Sequence, residues 1–578
     1  MYSKKLIVIA FSLLMLASCG SEGVSVDAGE GNVTLPPSTS TAVAAPTVAS
    51  TKLVFLDGTT KVDASLTPSR PIPLSAAVEV VFSKDMNDRS FVDGVARLVY
   101  VAEGTEKTVA GAATWSDKRT LVFTPQYHRL KAGTACTFEI TTAAESEDEA
   151  KLATAFSQQF KTMTAGDVDG DEHADVVVGA PNVGGSAGRA YVYSGKDLTG
   201  TFVAALAGSN NNELVGYSAA VGDVNGDGYA DVVIGAPGVG GKGAVYIING
   251  ATGAADWTLT GEAAGGHQFG YSVAVGDVDG DGKEDVIVGD NIFDDGALTG
   301  AGKVYVYSGE SLSGAAIAAI TGVAAGDKTG SSVAAGDMDG DGHYEVAAGA
   351  PLLNSQAGAV YVFSGVKLDS NLYTSDAAGA VGWTLAGPAA NTRFGWALSM
   401  GDMDGDGKAD LAVGAPRWNS YLGKVYIYND SGLNSGTTIA TVTGTQAAGK
   451  FGSSVAAVAD ADDDGRSELV VGAPGADKAY FMYGKLLTAD IDASQIAGSI
   501  GTGWVVAGGG SDSCGSAVSG GDVTADGTVE FIVGCPAYNA MGETVIYSIA
   551  DGYDINNGSL VNPAGANDMF GTSVSGGN

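Results

Sequence analysis

The sequence predicts an all-β protein in which seven four-stranded units are arranged radially after a small two-sheet domain, and three observations carry that expectation. A nine-residue acidic pattern, Asp-x-Asp-x-Asp-Gly-x-x-Asp or a near variant, begins at Asp167, Asp223, Asp277, Asp337, Asp402, Asp460 and Asp522. Each copy runs into an apolar stretch closed by breakers, as in Val176-Val177-Val178-Gly179-Ala180-Pro181, and then into a run with alternating aromatics, as in Tyr191-Val192-Tyr193. Alternation at period two is the signature of a strand. The copies start 56, 54, 60, 65, 58 and 62 residues apart, a period that suits one four-stranded propeller blade and is too long for a leucine-rich or tetratricopeptide array.

In chain order, residues 1–19 carry Lys4 and Lys5, an apolar stretch from Leu6 to Leu16, and then Ala17-Ser18-Cys19. The stretch is too short to span a membrane and reads as an export signal. Its end resembles a bacterial lipobox, which implies that Cys19 is acylated and that the chain is a membrane-anchored lipoprotein of the outer membrane or cell surface. Ordinary cleavage leaving a free thiol is the alternative. Residues 20–50 are rich in Ser, Thr, Ala, Gly and Pro and cannot bury a core; they are expected to form a flexible linker with a reach of roughly 30 Å. Residues 51–163 alternate apolar runs with turn signals, including Val78-Glu79-Val80-Val81-Phe82 and Cys136-Thr137-Phe138-Glu139-Ile140, which predicts a small antiparallel sandwich.

Residues 164–578 hold the repeats. After the acidic loop, the buried strand and the aromatic strand comes a third run such as Trp257-Thr258-Leu259-Thr260, and a Phe-Gly pair opens the next unit, as at Phe269-Gly270, Phe394-Gly395 and Phe451-Gly452. The acidic loop therefore joins the first two strands of a unit. No Phe-Gly strand precedes the first loop, yet Phe570-Gly571-Thr572-Ser573-Val574 has no loop after it. This orphan is expected to complete the first unit and close the ring, removing exposed sheet edges.

Oxygens from alternate residues of a tight loop suit a hard cation, because Ca²⁺ takes six to eight oxygens at flexible geometry. Positions one, three, five and nine are the candidate side-chain ligands. They are Asp167, Asp169, Asp171 and Asp175; Asp223, Asn225, Asp227 and Asp231; Asp277, Asp279, Asp281 and Asp285; Asp337, Asp339, Asp341 and Glu345; Asp402, Asp404, Asp406 and Asp410; Asp460, Asp462, Asp464 and Glu468; and Asp522, Asp526 and Glu530. Position seven should lend only a carbonyl, and its side chain varies freely: His173, Tyr229, Lys283, His343, Lys408, Arg466 and Thr528. Glu172 replaces the bend glycine of the first loop, and Thr524 and Ala525 replace Asp and Gly in the seventh, the poorest site. A lone acidic loop is an ordinary solvated turn. Seven copies in register argue against that for the set, and the seventh, where weak or absent metal is expected, keeps the plain-turn alternative.

The combination of acidic loop, Gly-Ala-Pro strand and Phe-Gly opening resembles the FG-GAP repeat family, the seven-bladed propeller also found at the head of integrin alpha subunits. The resemblance covers residues 164–578 and implies five to seven structural Ca²⁺ ions in the blade hairpins, away from the ligand-binding loops. Departures are Gly289-Asp290-Asn291 for Gly-Ala-Pro, Thr329-Gly330 for Phe-Gly, and Cys514-Gly515 with Cys535-Pro536 in the last unit. Residues 51–163 resemble the bacterial Ig-like domain of S-layer type, through the Phe-Ser-Lys-x-Met segment from Phe82 to Met86, a Phe-Thr-Pro strand and a final Phe-Lys-Thr from Phe160 to Thr162.

Of 66 acidic residues, 26 occupy ligand positions, so the net charge of −36 is concentrated at the loops and falls to about −22 with seven divalent ions bound. Such acidity excludes nucleic acid as a partner. Cys514 and Cys535 lie at corresponding ends of two strands and are expected to form a disulfide in an oxidising compartment, worth ~3 kcal/mol; two packed thiols are the alternative. Cys136 has no evident partner and belongs to the sandwich core. Gly184-Gly185-Ser186-Ala187-Gly188 matches a nucleophile elbow and Gly238-Val239-Gly240-Gly241-Lys242-Gly243 a dinucleotide fingerprint, but neither opens a helix, and among 87 glycines chance matches are expected. With four histidines, His128, His173, His267 and His343, there is little material for a histidine-based catalytic site. The reading is a calcium-binding, lipid-anchored, monomeric envelope protein, not an enzyme, that recognises a protein or glycan at the cell surface through loops carrying Trp418, Tyr421 and Tyr538. Its rivals are a propeller hydrolase or lyase acting on polysaccharide and a passive scaffold.

Overall fold

The computed structural model describes residues 45–576, apart from residues 58–59, 65–76, 92–93, 103–104, 110, 126–134, 162–163, 199–201, 263–265, 297, 313, 369, 378–380, 463, 497–502, 527, 549–554 and 562–567. The export signal, Cys19 and most of the expected linker lie outside the described residues. The protein is all-β: nine sheets, and only short helical turns among the described residues.

The first strand, Val48–Asp57, begins within the stretch expected as linker. It belongs to a five-stranded sheet with Thr60–Ala64, Ala77–Phe82, Thr120–Pro125 and Gly111–Trp115; a four-stranded sheet is built from Thr105–Val109, Ala96–Ala102, Ala135–Ile140 and Phe156–Lys161. Alternate residues of both sheets, Val78, Val80, Phe82, Leu121 and Phe123 from one and Leu98, Phe138 and Ile140 from the other, share one core. Cys136 is a free, buried thiol in that core, and burial pushes its pKa up to about 11.

Seven further sheets follow. In the second, Ser218–Gly222, Asp231–Ala236, Ala244–Asn249 and Ala254–Thr260 pair in simple antiparallel order, with the acidic loop joining the first two. The second strand is buried at all six positions because it has sheet neighbours on both edges and packed sheets on both faces, which is why the sequence there is a continuous apolar run. The third and fifth sheets differ from the four-stranded expectation. Asn371–Tyr373 adds to Ala318–Thr321, and Ile491–Asp492 to Ala440–Thr443, each as a parallel fifth strand supplied by the long connection of the following unit.

The inner strands of successive sheets lie side by side from Ser218–Gly222 through Ala517–Gly521, and Ser573–Ser575 contacts both of these end members. Val177, Val178 and Gly179 pair antiparallel with Ser575, Val574 and Ser573, so the orphan strand completes the first sheet. One core cluster joins Val176, Val178 and Tyr191 of that sheet, and Phe570 of the segment that completes it, to Ile532 and Ile546 of the last. Phe269, Phe394 and Phe451 fill the same place between other sheets, their rings 5.2, 5.4 and 5.3 Å from Tyr305, Tyr426 and Tyr480.

The glycines of the two motifs meet at every one of these junctions. A Cβ on Gly235, Gly414 or Gly472 would sit 2.2, 2.2 or 2.0 Å from the carbonyl oxygen of Gly270, Gly452 or Gly515, the Phe-Gly glycine of the next unit or its equivalent. The same carbonyls accept bonds of 2.9 Å from Ser218 and Ser454 of the preceding inner strand. Since the obstructing atom is backbone and not a flexible side chain, Gly414→Ala is expected to cost ~3 kcal/mol in a urea melt. Gly253→Ala, where no atom lies within 4 Å, should cost about 1 kcal/mol through its positive φ alone. Equal losses would refute the close-approach account.

Candidate metal centres

Each acidic loop arranges its carboxylates through its own amides. In the fifth loop, Gly405 and Asp406 donate N–H bonds of 2.7 and 3.0 Å to Asp402 Oδ1, and Gly407 donates at 2.9 Å to Oδ2. Met403 and Asp404 donate at 2.9 Å to Asp410 Oδ2, while Asp404 and Asp406 accept from residues two further on, at 3.2 and 3.0 Å. The bend at position six needs a left-handed residue: Gly282 has φ +90° and Gly407 +87°, and Glu172 in the first loop is held at +73°.

Asp167, Asp169 and Asp175 present oxygens within 4.8 Å of one another, and so do Asp277, Asp279 and Asp285; Asp337, Asp339 and Glu345; Asp402, Asp404 and Asp410; and Asp460, Asp462 and Asp464. Positions one, three and nine thus come together in four loops and positions one, three and five in the sixth. Asp171, Asp281, Asp341, Asp406 and Glu468 stand outside these groups. In Asp171 one oxygen accepts from His173 N–H and the other from Ser194 Oγ–H at 2.8 Å.

Among the described residues, the second and seventh loops gather no such trio. In the second, the Asn225 amide donates to Asp231 Oδ1 at 3.3 Å, and Asp223 and Asp227 complete the loop. In the seventh, the Thr524 hydroxyl donates to Glu530 Oε1 at 3.1 Å, so a protein donor already serves the position-nine carboxylate; Asp522 accepts from Asp526 N–H at 3.1 Å. Ala525 is held at φ +54° at position four, where the first five loops use glycine and the sixth has Asp463.

Crowded, buried carboxylates resist ionisation. Burial, helped by neighbouring carboxylates, pushes Asp175, Asp285, Asp410, Glu345 and Glu468 up to about 8, and burial, with smaller help from Asp227 and from Asp526 and Asp522, moves Asp231 and Glu530 to about 7 against opposing backbone hydrogen bonds. Burial also places Asp223 well above the usual range. Glu345 Oε1, Asp410 Oδ1 and Asp462 Oδ1 are buried and accept no hydrogen bond among the described residues. A cation satisfies such oxygens, and the all-oxygen donor set is that of a hard ion. The carboxylates present therefore fit Ca²⁺.

The sign of the pH effect follows from these raised values. Without metal, the folded protein keeps protons that the unfolded chain releases near pH 4, so stability declines as pH rises from about 4 through about 8. Melts in EDTA should show a higher Tm at pH 5.5 than at 8.5. In millimolar Ca²⁺ the order should reverse, because the ion competes with those protons. An EDTA melt that rises with pH would contradict the assignment.

Three supporting features were not legible as ligands. Gly195, Gly250 and Gly309, just after the aromatic strands, each donate an N–H bond of 3.0 Å to the position-nine carboxylates Asp175, Asp231 and Asp285. The signal was present as a recurring Ser-Gly or Asn-Gly at Ser194-Gly195, Asn249-Gly250 and Ser308-Gly309. Position seven is not simply free: the Tyr229 and His343 rings lie against Gly170 and Gly280 of the preceding loop, where a Cβ would meet them at 2.5 Å. Finally, the position-eight amide of one loop donates to the position-one carbonyl of the loop before it. Ala230, Glu284, Tyr344 and Ala409 reach Asp167, Asp223, Asp277 and Asp337 at 2.8 to 3.1 Å, Ser467 reaches Asp402 at 2.6 Å, and Ala174 reaches Asp522 at 3.0 Å.

Cys514 and Cys535 are joined by a disulfide beside the seventh loop's sheet. At the opposite strand ends, Tyr421 is 39% exposed, whereas Trp418 and Tyr538 pack against core clusters. On the ring axis a cavity of about 520 Å³ is walled mainly by small apolar residues of the inner strands, such as Val275, Ala335 and Ala457; Glu284, Asp337, Asp402 and Lys408 are the charged residues lining it.

The FG-GAP repeat matches residues 162–193, 215–248, 269–307, 329–363, 394–428 and 451–485, and the Bacterial Ig-like domain matches residues 42–162. The chain carries six FG-GAP repeats and a bacterial Ig-like domain; the seventh sheet lies beyond the matched repeats. Integrin alpha-5 of Xenopus laevis is 34% identical over 222 residues, covering 36% of this chain and 20% of that protein. Integrin alpha-V of Gallus gallus is 35% identical over 217 residues, with the same coverage, and Integrin alpha-8 of Homo sapiens 31% identical over 280 residues, covering 44% and 26%. The chain spans about one fifth to one quarter of the length of these relatives.

Proposed function

We propose, from the six FG-GAP repeats and the Ig-like domain, that this chain is a calcium-stabilised, seven-bladed β-propeller lipoprotein of the cell surface that recognises another macromolecule in adhesion or surface assembly. Residues 1–19 serve as its signal, acylated Cys19 as its anchor, residues 51–163 as an Ig-like spacer and residues 164–578 as the propeller. The observation that carries the reading is the set of five carboxylate trios at sheet hairpins, four of them in one register, with buried oxygens on Glu345, Asp410 and Asp462 that a cation would satisfy. Likeness to integrin alpha chains supports recognition as the role. Calcium is structural, holding the hairpins so that the loops at the other strand ends form a fixed recognition surface.

Calorimetric titration should find five to seven Ca²⁺ sites, with the Asp402, Asp404 and Asp410 loop among them and the Thr524 loop weakest. Immobilised protein should retain surface polymers or proteins in Ca²⁺ and release them in EDTA. Turnover of polysaccharide without retention would overturn the proposal in favour of an enzyme. Metabolic labelling with palmitate checks the anchor; absence of label on the mature chain removes it.

A further inference from the structure

At the strand ends away from the metal loops, a cavity of about 450 Å³ gathers cations on a protein of net charge −36. Arg393 and Trp396 precede one inner strand, Arg417 and Tyr421 follow the Gly-Ala-Pro turn of the same sheet, and Lys450 comes from the next. Both guanidinium groups turn to a single acceptor, Gln356 Oε1, with Arg393 Nε at 3.3 Å and Arg417 Nη1 at 3.0 Å. Their planes are backed by aromatic rings, Arg393 Cζ lying 4.8 Å from the Trp396 ring centre and Arg417 Cζ 5.1 Å from that of Tyr421. Among the described residues none of Arg393, Arg417 and Lys450 is within 4.0 Å of a carboxylate, although the other face is crowded with them. Burial, and then the positive charge of Arg417, holds the Arg393 pKa below its ordinary value.

Two adjacent guanidinium groups that share one neutral oxygen retain donors without an anionic partner, and such forks are matched by a carboxylate. The cavity is much larger than a carboxylate. Its remaining wall is Pro416, Pro474, Ser453 and Ser516, a mixture of apolar faces and hydroxyls. It continues past Arg417 and Tyr421 into a second cavity of about 770 Å³ lined by Asn391, Thr392, Trp418 and Asn419, amide and hydroxyl groups beside an indole. Small polar groups beside aromatic rings suit a pyranose, which presents both hydroxyls and a CH face. An acidic peptide side chain would leave most of the space unfilled.

We propose that this paired cavity binds a carboxylate-bearing sugar of an acidic polysaccharide, with Arg393 and Arg417 taking the uronate carboxylate and Trp418 and Tyr421 flanking the neighbouring sugar. The proposal rests on the reading that this end of the propeller is the recognition face, and supplies its ligand class.

The test is calorimetry on the full-length, calcium-loaded protein with trigalacturonate, maltotriose and triglutamate. Trigalacturonate should bind and maltotriose should not. Arg417→Gln and Arg393→Gln should each weaken binding about tenfold, the scale of a lost charge-assisted pair, and Lys196→Gln at the metal-loop end should leave it unchanged. Because the guanidinium groups also brace Tyr421 and Trp396, each variant is melted in parallel; if both lose stability, Lys450→Gln, on an exposed side chain, replaces them and should weaken binding by about threefold. Equal affinity for maltotriose, tighter binding of triglutamate, or full affinity in stably folded variants overturns the proposal. If surface retention by calcium-loaded protein survives while trigalacturonate fails to bind, the uronate site falls and the recognition role stands; if retention fails too, both fall.

Discussion

Excess EDTA is expected to lower the melting temperature by roughly 10 °C or more. An ion at a hundred times its dissociation constant stabilises by about 2.7 kcal/mol per site, and about five such sites act together on one closed ring. Removing them does more than subtract this term. It leaves Asp167, Asp169 and Asp175, and four similar trios, with oxygens within 4.8 Å of each other, and of these only the sixth loop's, where Lys485 pairs with Asp462, is in an ion pair among the described residues. At neutral pH each trio must take up a proton or repel. A melt unchanged by chelation, with no metal detected in the purified protein, would remove the physical basis of the proposed role.

Deleting residues 568–578 should have the second large effect, a Tm lower by roughly 10 °C with earlier exposure of dye-binding apolar surface. The deletion takes away Ser573–Ser575, which pairs with Val177–Gly179, and Phe570, fully buried with its ring 5.7 Å from Tyr191. It also removes the Ser573 hydroxyl bond of 2.9 Å to Gly216 O. The buried strand Val176–Ala180 would then become an open edge beside bare apolar side chains. Ring closure by this segment is refuted if the truncated chain melts as the full one does.

Much of this was legible because the information is local. Carboxylates at alternate positions of one loop, an apolar run and a breaker can all be seen within about twenty residues, and the repeat multiplies a weak signal into a strong one. Non-local features stayed hidden. The amide of Ala230 reaches the carbonyl of Asp167, and the Gly235 Cα faces Gly270, across whole units, through backbone atoms that carry no sequence identity. Burial could not be read for Trp418 and Tyr538, which are half-buried against core clusters while Tyr421 stays exposed. The gathering of Arg393, Arg417 and Lys450 was invisible for the opposite reason, since these cations break the repeat that guided the reading.

The amide-to-carbonyl relay between successive hairpins has a consequence for how the molecule meets its surroundings. Filling one cage fixes the carbonyl of its first aspartate, and that carbonyl is where the following hairpin is moored, so an ion bound at Asp337 also steadies the loop of Asp402. Occupancy is therefore expected to climb steeply with ion concentration, with a Hill coefficient above one in a calcium titration. Thr524→Ala should leave that slope unchanged, and Asp337→Asn should flatten it. The ring of hairpins would then pass from slack to rigid over a narrow span of ambient calcium.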